Sequence, residues 1–178
     1  MSFPPYPTML LFGMATGVVV GCFFTARRGL PVDRTYIGYL VLLIPALLGA
    51  RVLHVLKHLP HYRANPRLIL SRNDAGLALY GGLILALLVS WPLLAALDLP
   101  AASFWDGGAV VILVGMTFTK VGCHINGCCA GRPTTSRWGV HLRRDRGRFR
   151  RTPAQLLESG LAITVLAILI PAAPHLGF

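Results

Sequence analysis

The chain has little negative charge. Its 178 residues include 17 Lys and Arg but only six Asp and Glu, and charged residues make up 13% of the whole. A soluble domain carries about 25%. With 54% apolar residues and a mean hydropathy of +0.63, this scarcity excludes an ordinary water-soluble domain, whose interior cannot take up so much apolar surface. The sequence also lacks internal repeats, low-complexity tracts and a separate soluble segment, which argues against solenoids and tethered modules. The opening residues MSFPPYPT contain no base, and no small-residue cleavage site follows. The first apolar run is therefore expected to be retained as a helix rather than removed as a signal peptide. Cysteine is sparse too. Of Cys22, Cys123, Cys128 and Cys129, three fall within seven residues, which is no framework for a disulfide-stapled secreted domain.

What is present is a series of long apolar runs. A helix crossing the hydrocarbon core needs about 20 mostly apolar residues. Five runs qualify: Met9 to Thr25, Tyr36 to Leu56, Ala75 to Leu97, Trp105 to Val121 and Ala154 to Ala172. Because lipid leaves backbone groups no outside partner, these runs are expected to be helices. The fold class is an all-α integral membrane protein. It is read as a single domain over 1–178, with about five helices in one bundle and a polar, glycine-rich loop lining a central cavity. Gly13, Gly17 and Gly21 stand four apart, a small-residue face suited to close helix contact within the bundle. Pro153 suits the first turn of the last helix.

The net charge is +11. The bases sit between apolar spans, at the level of lipid head groups, so an anionic lipid surface fits better than nucleic acid. No nucleic-acid partner is expected. The loop after the second span holds Lys57, Arg63, Arg67 and Arg72; the loop after the fourth holds eight arginines from Arg132 to Arg151 against one acid, Asp145. Counting positive charge places both loops on the cytoplasmic side, unless those arginines serve a ligand. Arg143 to Arg150 read as a solvated run at the bilayer surface.

Several residues carry chemistry of their own. Arg51 lies inside the second span, where a charge is costly and usually faces a polar interior. His54 and His58 follow on the same face, near Lys57. They line a polar stripe for an anionic head group or, nearer the helix end, snorkel to the interface. Tyr80-Gly81-Gly82 offers close backbone approach and a hydroxyl. The densest stretch runs from Lys120 to Arg132. It holds a cation, three thiols (Cys123, Cys128, Cys129), His124, Asn126 and Gly131. It suits phosphate binding by Lys120, Arg132 and loop amides, or thiolate nucleophilicity. A metal set of Cys123, His124, Cys128 and Cys129 is a third option, weakened by spacing that departs from the usual C-x2-C pair; no metal and no cofactor is expected. Gln155 and Glu158 share one helical face. Glu158, embedded in a span, is expected to pair with a base such as Arg51 or Arg151.

These motifs together carry a resemblance. Gly49-Ala50-Arg51, Tyr80-Gly81-Gly82, the run from Gly122 to Thr134, Trp138-Gly139-Val140 and Arg151 to Glu158 are similar, in order, to segments of the prolipoprotein diacylglyceryl transferase family. That family has G-A-R, H-G-G, G-N-F-I-N-G-E-x-x-G-R-P-T and R-H-P-S-Q-L-Y-E. The resemblance covers roughly residues 45 to 165. It implies a phospholipid-dependent transferase that moves a diacylglyceryl group from phosphatidylglycerol, or a related phospholipid, to a thiol or other acceptor and releases glycerol phosphate. The acceptor would be a protein or small thiol. The location implied is a bacterial-type inner (plasma) membrane, with the signature loop on the outer side. Carried over residue by residue, the resemblance gives Arg51, Asn126, Gly131, Arg132, Arg151, Gln155 and Glu158 as candidates. Taken with the residues read directly, Arg151, Glu158, Tyr80, Cys123 and Cys128 are the catalytic candidates. Arg51, His54, Lys120, His124, Asn126, Gly131, Arg132 and Gln155 are the binding candidates. Tyr80 stands for the family's histidine, Lys120 for an arginine, Cys123 for an asparagine and Cys128 for a glutamate, and five spans stand where the family has about seven. The chain thus looks like a compact, divergent paralogue. Two other readings are a non-enzymatic lipid-binding protein with a degenerate site, and a membrane thiol-redox or sulfur-handling protein using the loop cysteines.

Overall fold

The computed structural model describes residues 5–71, 77–141 and 150–172. Six α-helices dominate: α1 (Pro5–Ala26), α2 (Val32–Lys57), the short α3 (Leu59–Ala64), α4 (Leu79–Leu97), α5 (Ala101–Asn126) and α6 (Ala154–Ala172). A 3-10 turn, Pro66–Leu70, follows α3, and two-residue strands β1 (Val140–His141) and β2 (Arg150–Arg151) pair antiparallel between α5 and α6. All the helices but α3 are long and apolar enough to cross a membrane. Their outward faces stay greasy, with Trp91 79%, Leu88 68% and Leu161 64% exposed. Apolar surface on this scale requires lipid rather than water around it.

The helix ends depart from the sequence reading at two places that matter. The third span was expected from Ala75, which lies outside the described residues, and α4 begins at Leu79. The fourth was expected to stop at Val121, but α5 runs on to Asn126. Gly122 and the polar residues after it looked like loop. Helical backbone continues through them because Gly127, at φ +72°, is what ends the helix. Its N–H donates to the His124 carbonyl (3.1 Å) and that of Cys128 to the Cys123 carbonyl (3.0 Å), the paired bonds of a left-handed helix terminus. In the basic run, the arginines from Arg143 to Arg148 lie outside the described residues; Arg150 and Arg151 form β2.

The chain divides into two compact units. The first comprises residues 1–30 and 103–178. Here α1 lies on α5 at its glycine face. A Cβ on Gly13 would come within 2.9 Å of the Phe118 Cβ, and one on Gly17 within 2.7 Å of the Val111 carbonyl oxygen. Phe24, Val110 and Val114 form the buried core, joined by Val20, Phe118, Leu166 and Leu169. Arg28, just past α1, pairs with Asp106 of α5 at 2.6 Å.

The second unit comprises residues 31–102. Its helices α2 and α4 run antiparallel. Arg34, near the start of α2, donates to the Leu97 carbonyl at the end of α4 (3.2 Å), while Gly49 meets Gly81 at the opposite end. The close approach expected of the Gly81-Gly82 pair is made by backbone. An added Cβ at Gly49 or Gly81 would overlap the other's carbonyl oxygen, and one at Gly82 would overlap that of Ala46.

Candidate functional site

In the first unit the segment after α5 is held against the approach to α6 by main-chain bonds. The Gly131 N–H donates to the Thr152 carbonyl (3.0 Å), the Thr152 N–H to the Arg132 carbonyl (3.1 Å) and the Thr134 N–H to the Arg150 carbonyl (2.8 Å). Pro133 bridges Arg151. The fit demands glycine at 131, where a Cβ would sit 2.9 Å from both the Cβ and the carbonyl oxygen of Thr152. Docking therefore brings the sequence-distant pairs Gly131–Arg132 and Arg151–Thr152 together. The Arg151 guanidinium also reaches the Gly131 carbonyl at 3.4 Å, and Arg132 is exposed.

Gln155 locks this arrangement from below. Its side chain is fully buried, and its Nε2 donates to the Cys128 carbonyl at 2.5 Å. Its Oε1 is buried and finds no hydrogen-bond partner among the described residues, so it remains an acceptor in search of a donor. The Nδ1 of His124 is also buried and without a hydrogen-bond partner among the described residues, while Asn126, at the last turn of α5, is exposed.

Glu158 faces α5. The ion-pair partner expected for it was Arg51 or Arg151; it is Lys120. The reason is helix packing. The Ser159 hydroxyl donates to the Thr117 carbonyl at 3.1 Å, and this contact sets α6 against α5 so that the next pair outward is Lys120 and Glu158. Lys120, expected to hold phosphate together with Arg132 and loop amides, thus already carries a carboxylate. Neither partner is sealed off, since the side chains are 25% and 42% exposed. On the other side of Thr117, α5 and α6 leave an open apolar groove of about 460 Å³. Val114, Thr117, Phe118, Ile163, Leu166 and Ile170 line it.

The three loop-region thiols converge. Cys123 is buried on the last turns of α5, and the left-handed backbone of Gly127 and Cys129 (φ +60°) swings the tandem pair back toward it. All three sulfurs lie within 4.8 Å of one another, and the Cys128 Sγ also contacts the Cys123 carbonyl at 3.6 Å. His124 is not part of this group. Although Cys129 is exposed as a residue, its sulfur is partly desolvated. That desolvation, and then the neighbouring Cys128, push its thiol above the ordinary cysteine range.

Arg51, His54 and Tyr80 belong to the second unit. Arg51 donates from Nε to the Ile69 carbonyl (2.9 Å) and from Nη2 to the Leu68 carbonyl (2.8 Å), and it lies 5.4 Å from the Tyr62 ring centroid. His54 stacks on His58 at 4.4 Å. Tyr80 is 69% exposed on the first turn of α4. Sequence reasoning missed Thr117, Thr152 and Ser159, which position the site through main-chain and hydroxyl bonds. No local pattern announces them, because each partner is more than 15 residues away.

The prolipoprotein diacylglyceryl transferase family matches the chain over residues 1–175. Among curated relatives, the phosphatidylglycerol–prolipoprotein diacylglyceryl transferase of Nitratidesulfovibrio vulgaris (strain DP4) is 31% identical over 173 residues, covering 93% of this chain and 64% of the relative. That of Tropheryma whipplei (strain TW08/27) is 32% identical over 144 residues, covering 78% and 53%. That of Bacillus cereus (strain G9842) is 31% identical over 150 residues, covering 79% and 53%. The chain spans less than two thirds of the length of these relatives. A match along nearly the whole chain, with five apolar helices carrying the polar loop, leads to one conclusion: this multi-pass membrane protein belongs to the prolipoprotein diacylglyceryl transferase family.

Proposed function

We propose that the chain is a phospholipid-dependent transferase of a bacterial-type inner (plasma) membrane, moving the diacylglyceryl group of phosphatidylglycerol to the thiol of a protein or small-molecule acceptor. The observation that carries this reading is the docked loop. It gathers Arg132, Arg151, Gln155 and the Lys120–Glu158 pair at one end of the α5–α6 groove. An acyl chain suits the apolar groove, and a polar head suits its loop end.

In the proposed reaction the acceptor sulfur forms a bond to the terminal glyceryl carbon. The bond from that carbon to the phosphate oxygen breaks, and glycerol phosphate leaves as the anion. Arg132 and Arg151 hold the phosphate and stabilise the charge gained by the leaving oxygen. Gln155, buried and bonded to the Cys128 carbonyl, holds the loop in place, and Asn126, exposed at the last turn of α5, orients the glycerol head group, with His124 two residues before it. Glu158, steadied by Lys120, takes the thiol proton. Arg51 and Tyr80 are candidates by motif order, His54 by its place on the helical face of Arg51, and Cys123 and Cys128 by their place in the loop.

The test is turnover by the purified protein in phosphatidylglycerol vesicles with a cysteine-containing lipoprotein-signal peptide. Glycerol phosphate release and a thioether-linked diacylglyceryl adduct, detected by mass spectrometry, are expected. Arg151→Ala should abolish both, and Arg151→Lys, which loses the two-pronged fork, should slow them about a hundredfold. Co-purifying phospholipid with no adduct under any condition would overturn the transferase reading in favour of lipid binding alone.

A further inference from the structure

We infer that Cys123, Cys128 and Cys129 form a three-thiolate site for a soft, thiophilic metal ion, with copper(I) the fitting probe. The inference stands independently of the lipid reading. The three thiols converge from a seven-residue stretch. They are also placed as a ligand set would be. All three sulfurs lie within 4.8 Å of one another. A metal–sulfur bond of about 2.3 Å in a trigonal arrangement needs sulfurs about 4 Å apart, so small side-chain rotations close the set.

The scaffold fits the requirement for preorganised ligands. Cys123 sits on the last turns of a helix, its residue 4% exposed. Cys128 has its carbonyl tied to buried Gln155. Cys129 is exposed and gives the ion a way in. Supporting groups of this kind commonly fix metal ligands in place. Arg132 follows three residues after Cys129, so a cation is at hand for a cluster that stays anionic.

The donor set selects the ion. Thiolates prefer soft ions such as copper(I) over magnesium or calcium. Zinc ordinarily takes four ligands, whereas this group offers three sulfurs, and His124 is not among them. Binding is a proton-for-metal exchange: each thiol gives up its proton as its sulfur joins the ion, with no change of oxidation state.

The test is copper(I) titration of the full-length reduced protein in detergent, against a competing copper(I) chelator, with metal analysis after desalting. About one ion per chain is expected, released by acid. Loss of at least tenfold in affinity is expected for each of Cys123→Ser, Cys128→Ser and Cys129→Ser, while Cys22→Ser, far along the chain on α1, binds as the parent does. Melting of each serine variant without metal separates lost ligation from lost folding; a variant that unfolds is replaced by its alanine counterpart. Failure to retain copper(I), retention unchanged in the triple serine variant, or displacement of copper(I) by equimolar zinc would overturn the inference.

Discussion

Lys120 of α5 and Glu158 of α6 form an ion pair one step outward from the Ser159–Thr117 hydrogen bond. The hydroxyl contact fixes the helices, and the ion pair reads that fixed geometry at the edge of the loop. Partial exposure of both side chains limits its worth, since exposed pairs contribute about 0–1 kcal/mol and sealed ones cost 3–5 kcal/mol when broken. We expect a coupling of about 1 kcal/mol. A double-mutant cycle of Lys120→Met and Glu158→Gln, followed by reversible unfolding in mixed micelles, measures it. Lys120→Arg should retain most of the coupling. A value indistinguishable from zero would show the pair to be incidental.

Gln155 is buried and ties the loop to α6 through the Cys128 carbonyl. Gln155→Leu keeps the volume and removes the donor, leaving that carbonyl unpaired at a cost of about 1–3 kcal/mol. Lipid turnover should fall about tenfold or more. Thermal melting and the adduct assay read the two effects separately. Retained stability together with full turnover would remove Gln155 from the site.

The contact between Gly49 and Gly81 leaves no room for a methyl group, because each Cβ would run into the other helix's carbonyl oxygen. Gly49→Ala or Gly81→Ala should destabilise the α2–α4 pair by about 3 kcal/mol and lower the yield of monodisperse protein in size-exclusion chromatography. Gly160→Ala is the control, with nothing within 4 Å of its Cβ. It should be neutral or gain up to about 1 kcal/mol from helix propensity.

Cys129 is exposed, but its thiol is held above the ordinary range by desolvation and then by Cys128. The thiolate is the species alkylated. Alkylation near neutral pH should therefore be slower than for a free cysteine, and should keep rising with pH beyond about 8.5, where an unperturbed thiol is half ionised. A membrane-impermeant maleimide should label it in intact spheroplasts, the orientation the family resemblance implies. Labelling only after permeabilisation would place the loop inside, as the arginine count implies.

The chain's apolar runs determined the class and the approximate spans of its helices, because about 20 residues without charge have one low-energy home, a helix in lipid. The order of motifs determined the family resemblance, which the family match bears out, and named the polar residues to watch. Partnership was decided elsewhere. Nothing in the sequence distinguishes Lys120 from Arg51 or Arg151 as the base for Glu158; the packing of α6 on α5 does. Nor does spacing along Cys123, Cys128 and Cys129 reveal three clustered sulfurs. A helix that continues to Asn126, a glycine at φ +72° and a cysteine at φ +60° bring them together. Linear separation measures distance only while the backbone stays regular, and here the left-handed turn is what makes the site.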